Sequence, residues 1–162
     1  SNELMAHTYS HLYGFNTTGL RFFTVYGPWG RPDMAPMLFA KQIFSNGKIK
    51  VFNNGDMSRD FTYVLDIVGS IRKLISQAAE SKYRVFNIGN GNPVKLTEFI
   101  DALENSLGMQ ADKNLMPMQP GDVYQTYAEV EDLFEATGYK PQMSVAKGVQ
   151  NFVDWYKDFY NV

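Results

Sequence analysis

The sequence predicts an α/β fold. Three observations point to it. Helix-like and strand-like segments alternate along the chain, the pattern of a sheet covered by helices. The run Thr17 to Tyr26 is apolar and aromatic without period-two alternation (Leu20, Phe22, Phe23, Val25, Tyr26), as expected of a parallel strand buried on both faces. Late segments such as 97–107 and 145–160 repeat apolar residues every three or four positions, the mark of helices packed on one face.

Taken in order, Asn2 to Gly14 reads as a helix. Leu4, Ala6, His7, Leu12 and Tyr13 fit helical spacing, Ser1 and Asn2 can cap it, and Gly14 can stop it. Thr17 to Tyr26 is the strand just described, broken by Gly27, Pro28, Gly30 and Pro32. Met37 to Phe44 is a short amphipathic helix ending near Asn46-Gly47. Ile49 to Phe52 is a strand, Asn53 to Asp56 a turn, and Phe61 to Val64 is extended. Leu65 to Ala79 is a helix whose inward face is Ile67, Val68, Ile71, Leu74 and Ile75. Tyr83 to Ile88 is a strand closed by Gly89 to Pro93. Thr97 caps a helix to Leu107 with Phe99, Ile100, Leu103 and Leu107 inward and Gly108 as its stop. Asn114 to Met118 is a short strand. Ala128 to Thr137 and Val145 to Tyr160 are the last helices. The sheet is under-populated, because few other segments share the double-sided apolar character of Thr17 to Tyr26.

Composition narrows the function classes. A chain of 162 residues at 18.4 kDa should fold to a surface of about 8,200 Å², burying roughly 69% of its extended surface, enough for one core. Hydrophobic residues at 44% and charged residues at 20% argue for a globular domain rather than a disordered one. The absence of cysteine excludes disulfides, a thiolate nucleophile and a cysteine zinc site. No apolar run reaches the ~20 residues of a membrane helix, and Ser1 to Tyr13 has no apolar signal core, so a cytoplasmic protein is expected. Residues 1–95 carry 11 Lys/Arg against 6 Asp/Glu, and residues 96–162 carry 4 against 11. That balance is not basic enough for nucleic acid, but the first part suits a small anion.

Three segments carry candidate chemistry. Arg21 to Pro28 ends a strand in a Gly/Pro loop and so delivers Thr24 and Tyr26 to the sheet's carboxyl edge, where open α/β folds bind ligands; ordinary core and turn is the other reading. In Gly55 to Val64, a turn presents Arg59, whose planar fork suits a phosphate. Asp60 either holds that arginine or pairs with it at the surface, and by itself the surface pair is the simpler reading. Met118 to Val123 is a tight turn that turn chemistry alone explains. His7 and His11 stand four apart, a metal-binding spacing, but no third ligand accompanies them and no metal site is expected. The methionines read as core filler.

The order of these motifs resembles the C-terminal part of the NAD-dependent sugar-nucleotide epimerase/dehydratase family, the extended short-chain dehydrogenase/reductase (SDR) group. The nearest likeness is to its UDP-glucuronate 4-epimerases. Three stretches carry it: Leu20 to Ala35 (LRFFTVYGPWGRPDMA), Arg59 to Asp66 (RDFTYVLD) and Pro117 to Val123 (PMQPGDV). The resemblance implies the C-terminal substrate-binding part of an extended SDR Rossmann-type fold over residues 1–162, including the last strands and helices of its sheet, with the N-terminal dinucleotide-binding part missing. It implies a UDP-sugar ligand. Thr24 would meet the hexose or its carboxylate, Arg31 the diphosphate or uridine, and Ala35, Pro36 and Met37 the loop over the nucleotide. Lys50 and Phe52 would lie on the strand that reads uracil, Arg59 on the diphosphate and Asp122 near the ribose. Gln119 stands where relatives often have a second arginine. Phe23 and Tyr26 would line the nicotinamide and sugar pocket.

Neither Gly-x-x-Gly-x-x-Gly nor Tyr-x-x-x-Lys occurs in the chain; by the resemblance, the chain would begin just past where that lysine stands in the family. The resemblance therefore implies a parent enzyme that interconverts UDP-glucuronate and UDP-galacturonate by transient oxidation at C4 with NAD. This chain would hold no catalytic residue, would not bind NAD alone, and would pair as a homodimer. The other readings are a stand-alone nucleotide-sugar-binding or interaction module, or part of a related UDP-hexose 4-epimerase, decarboxylase or dehydratase.

Overall fold

The computed structural model describes residues 1–77 and 81–162. Helix α1 (Asn2–Tyr13) ends at Gly14, whose left-handed backbone (φ 73) donates its N–H to Ser10. Strands β1 (Thr17–Phe22) and β2 (Thr24–Tyr26) follow, then α2 (Ala35–Phe44) and β3 (Lys48–Val51). A 3-10 turn, Phe52–Gly55, leads to β4 (Ser58–Arg59), β5 (Phe61–Tyr63) and α3 (Val64–Ser76). Next come β6 (Tyr83–Ile88), β7 (Val94–Lys95), α4 (Leu96–Leu107) and β8 (Asp112–Leu115). Helices α5 (Glu131–Thr137) and α6 (Val145–Tyr160) complete the set.

The fold is α/β as predicted, but the sheet is split into four strand pairs. β1 pairs with β6, β2 with β5 and β3 with β8, all parallel, while β4 pairs antiparallel with β7. The long strand expected over Thr17 to Tyr26 is therefore two strands. The division falls at Phe23 because the chain changes partner there. The Phe23 N–H donates to Ile88 of β6, and the next N–H, of Thr24, donates to Asp60 beside β5. β1 is not buried on both faces either: Phe22 is 51% exposed, and among the described residues β1 has β6 as its one neighbour.

Two apolar cores form. The larger unites Tyr26, Phe61, Tyr63, Phe99, Phe152 and Tyr156 with aliphatic residues of α2, β3, α4 and α6. Phe61 and Phe99 stack at 4.0 Å, and Tyr26 meets Phe99 edge-on at 5.3 Å. The smaller core joins Ile67 and Leu74 of α3 to Phe86, Ile88 and Leu133.

Several expected boundaries and faces move, each for a local reason. α4 starts at Leu96 with the extended Lys95 at its N-cap, so Thr97 lies inside the first turn and does not cap it; the free Leu96 N–H is satisfied by the Met57 carbonyl. α5 starts at Glu131 rather than Ala128, because the Ala128 N–H is held by the Asp60 carboxylate at 3.1 Å. β8 lies at 112–115, two residues before the expected strand's start, where it registers with β3. The inward face of α3 is Asp66, Ile67, Ser70 and Leu74, whereas Val68 and Ile75 face outward. Asp66 is turned in because its carboxylate accepts from the Tyr139 hydroxyl and the Gln142 and Met143 amides. Burial and that bond push the Tyr139 hydroxyl up to about 12. The expected end of α3 at Ala79 lies outside the described residues. The expected core methionines divide: Met37 and Met57 are buried, and Met118 is 37% exposed.

Candidate functional site

A groove of about 600 Å³ lies between α2, β3 and the β2–β5 pair, within the range of small-ligand sites. β3 alternates strictly: Ile49 and Val51 enter the core, so Lys48 and Lys50 turn outward. β2 brings Thr24 to the rim. α2 presents Ala35, Leu38 and Gln42, one face at three- and four-residue spacing. β4 brings Arg59, and the turn before residue 123 brings Gln119 and Asp122. Met57, Phe61 and Leu96 form an apolar floor.

Arg59 is the best-held cation at this groove. Its side chain is 16% exposed. Nη1 donates to the carbonyls of Ser58 (2.9 Å) and Tyr124 (3.2 Å), and Nη2 to the Asp122 carboxylate at 2.8 Å. The segment after Asp122 is itself tied to β4: the Ser58 N–H donates to Tyr124 and the Thr126 N–H to Ser58. A guanidinium so fixed loses little freedom when an anion replaces or joins its carboxylate. Asp60 does not touch Arg59. It is fully buried and accepts from the amides of Asn90 (2.7 Å), Gly91 (2.9 Å) and Ala128, and from the Thr62 hydroxyl (3.0 Å). The simple surface pair expected for Arg59 and Asp60 is thus replaced by two separate roles.

Of the residues expected to bind substrate, Thr24, Ala35, Lys50, Phe52, Arg59, Gln119 and Asp122 line one groove. Arg31, Pro36 and Met37 stand outside its lining. Arg31 is exposed and donates two hydrogen bonds to the Asp33 carboxylate, which hold that carboxyl below its ordinary range. Pro36 and Met37 are buried behind the groove wall. The two residues expected at a cofactor are not in the groove. Tyr26 is 2% exposed in the core, its hydroxyl has no hydrogen-bond partner among the described residues, and burial raises its ionisation well above the usual value. Phe23 sits at the partner switch between β1 and β2.

Further lining residues were not expected. Lys48 is signalled by the alternation that exposes Lys50, and Leu38 and Gln42 by their helical spacing from Ala35. Met57, Phe61 and Leu96 have no separate sequence signal, because an apolar pocket floor reads like any core. Lys48, Lys50 and Arg59 line the groove against Asp33 and Asp122, with Lys48 also paired to Asp112 at 3.5 Å, so the lining leans cationic beside an apolar floor and suits a ligand with an anionic and an apolar part.

The chain belongs to the NAD dependent epimerase/dehydratase family, whose sequence profile matches residues 1–89. Protein CapI of Staphylococcus aureus is 53% identical over 99% of the chain, which covers 53% of that relative. A probable UDP-glucuronate 4-epimerase of Rhizobium meliloti is 45% identical over 99% of the chain, covering 52% of the relative. The crystal structure of UDP-glucuronic acid 4-epimerase from Bacillus cereus, in complex with UDP-glucuronic acid and NAD, superposes with a TM-score of 0.93 at 31% identity; the match covers 99% of this chain and 51% of that one. The α/β arrangement described above is the extended SDR, Rossmann-type fold of that enzyme. The chain spans about half the length of the curated relatives it matches.

Proposed function

We propose that this chain is the UDP-sugar-binding part of an NAD-dependent UDP-glucuronate 4-epimerase. One observation carries the reading: seven residues that the family resemblance nominates, from four separate stretches of the chain, converge on one groove around a preordered arginine. Arg59 takes the diphosphate, Asp122 the ribose, and β3 with Lys50 and Phe52 the uracil. Thr24 faces the hexuronate. In the whole enzyme NAD supplies reversible hydride transfer at C4, and the residues of this chain bind and orient the sugar. They do not form a cofactor cradle of their own, since Tyr26 is closed into the core and no Gly-x-x-Gly-x-x-Gly is present. The 162 residues alone therefore bind nucleotide sugar without turning it over, act in the cytoplasm, and pair with a second copy through the exposed face of α1.

The test is calorimetric titration of the folded chain with UDP and with UDP-glucuronate. Binding at or below the millimolar range is expected. Arg59→Ala removes a charge-assisted bond of about 1.5–3 kcal/mol, so affinity should fall about 10- to 150-fold. No binding by the folded chain, or equal affinity in the alanine variant, ends this reading.

A further inference from the structure

Trp29 adopts a backbone conformation that its side chain disfavours. Its φ is 61. In that left-handed region Cβ crowds the following carbonyl, a conflict that bulky residues ordinarily avoid. The other non-glycine residues with positive φ among those described are Asn46, Asn53, Asn54 and Asn161, all of the type that tolerates it. Burial does not impose the conformation on Trp29, for the residue is 74% exposed.

What touches the ring is the last helix. The indole meets Trp155 at 5.5 Å between centroids and Phe159 at 5.0 Å, and these two stack on each other at 5.3 Å. That platform is rigid, because Val149, Phe152, Val153 and Tyr156 anchor α6 in the larger core. Beside that clasp, the loop that Trp29 belongs to is ordered by the exposed Arg31–Asp33 ion pair and little else. Between Gly27 and Met34 it has one internal backbone hydrogen bond among the described residues, from the Met34 N–H to Arg31 at 3.2 Å. Yet its far end, Asp33 and Met34, continues into Ala35 as one wall of the groove. Trp29 itself does not line that groove.

We infer that Trp29 is a positioning residue: its ring, seated on Trp155 and Phe159 of α6, fixes the Gly27–Met34 loop so that Asp33, Met34 and Ala35 stand in place against the ligand. The ligand in question is the nucleotide sugar proposed above, and to that extent the inference rests on that reading. The clasp is the reason strain persists at an exposed position. It also makes the C-terminal helix part of the groove's support, although no residue of α6 reaches the groove.

The experiment uses the 162-residue chain and three variants. Trp29→Asn removes the ring and places there the residue type that elsewhere accepts this backbone. Trp29→Phe keeps an aromatic ring. Phe159→Ala removes half the platform. Trp29 and Trp155 are the chain's two tryptophans, so fluorescence and near-UV circular dichroism report the clasp directly. Trp29→Asn should speed hydrogen exchange at the Met34 amide about 10-fold or more. It should weaken UDP binding about 5-fold or more while leaving the melting transition near that of the parent. Phe159→Ala should move both readouts the same way, and Trp29→Phe should restore most of each. Unchanged Met34 exchange in both Trp29→Asn and Phe159→Ala overturns the inference, as does a phenylalanine variant no better than asparagine. If the parent chain binds no UDP, the UDP-sugar reading fails, and Met34 exchange still decides whether the clasp orders the loop.

Discussion

Asp60 shows how one residue's role depends on partners that no local pattern reveals. Next to Arg59 in sequence, it has the look of a counter-ion, but its carboxylate points the other way and gathers three backbone amides and a hydroxyl from positions up to 68 residues distant. Without it the Thr62 hydroxyl and the Ala128 amide would be buried and unpaired, and the half-buried Asn90 and Gly91 amides would lose their acceptor. Asp60→Ala should therefore destabilise the chain by about 2–4 kcal/mol, measured by urea unfolding, because a buried hydrogen-bond acceptor is lost with its neutral donors left in place. A loss below about 1 kcal/mol would mean the amides find water instead. Arg59 was legible from its motif, since a turn and a strand end expose it. Its actual carboxylate partner, Asp122, lies 63 residues on and was nominated for a different task. The chemistry of single residues could be read from sequence; their pairing depends on the fold bringing two distant turns together.

At the level of elements, helices were the most readable part. α6 spans the residues its 3–4 spacing predicts, and α4 buries the face that spacing assigns. The short pair β4–β7 has two residues on each side, too few for any periodicity, and was invisible. α3 misled because it carries apolar residues on two faces, of which the chain covers one. Close packing between elements is equally hidden. Gly148 sits inside α6 where a Cβ would overlap the hydroxyl and ring of Tyr26 on β2. Gly148→Ala should gain about 1 kcal/mol in helix propensity and lose about 1–3 kcal/mol to overpacking, a net loss. Tyr26→Phe removes a buried hydroxyl without a partner and should be neutral or stabilising. Because the two sites touch, the double variant should be less damaged than the sum of the singles by about 0.5 kcal/mol or more. Urea unfolding of the four proteins closes the cycle. An alanine variant at least as stable as the parent would show that α6 shifts freely away from β2.

For the whole molecule, the relevant quantity is uncovered apolar surface. The chain exposes 9673 Å², against about 8,200 Å² for a monomer of its mass. Much of the apolar part is ordered on α1. Met5, Tyr9 and Tyr13 stand four residues apart on one ridge, Leu12 lies beside it, and each is more than half exposed. Tyr9, Tyr13 and Phe15 form a ladder of rings at 5.3 and 5.8 Å. Periodicity in the sequence announced that α1 is a helix; it did not say that these side chains stay exposed. Covering a large apolar side chain contributes about 1.5–3 kcal/mol, so a ridge of four exceeds what holds many weak dimers. β1 adds an unpaired backbone edge among the described residues, a second route to association. Sedimentation equilibrium at high micromolar concentration should thus show self-association of the chain. Tyr9→Lys, which sets a charge in the middle of the ridge without touching either core, should weaken it about tenfold or more. If the charged variant associates as strongly as the parent, the contact runs through the β1 edge and not α1. A parent chain that stays monomeric at those concentrations would show that the ridge alone does not recruit a second copy.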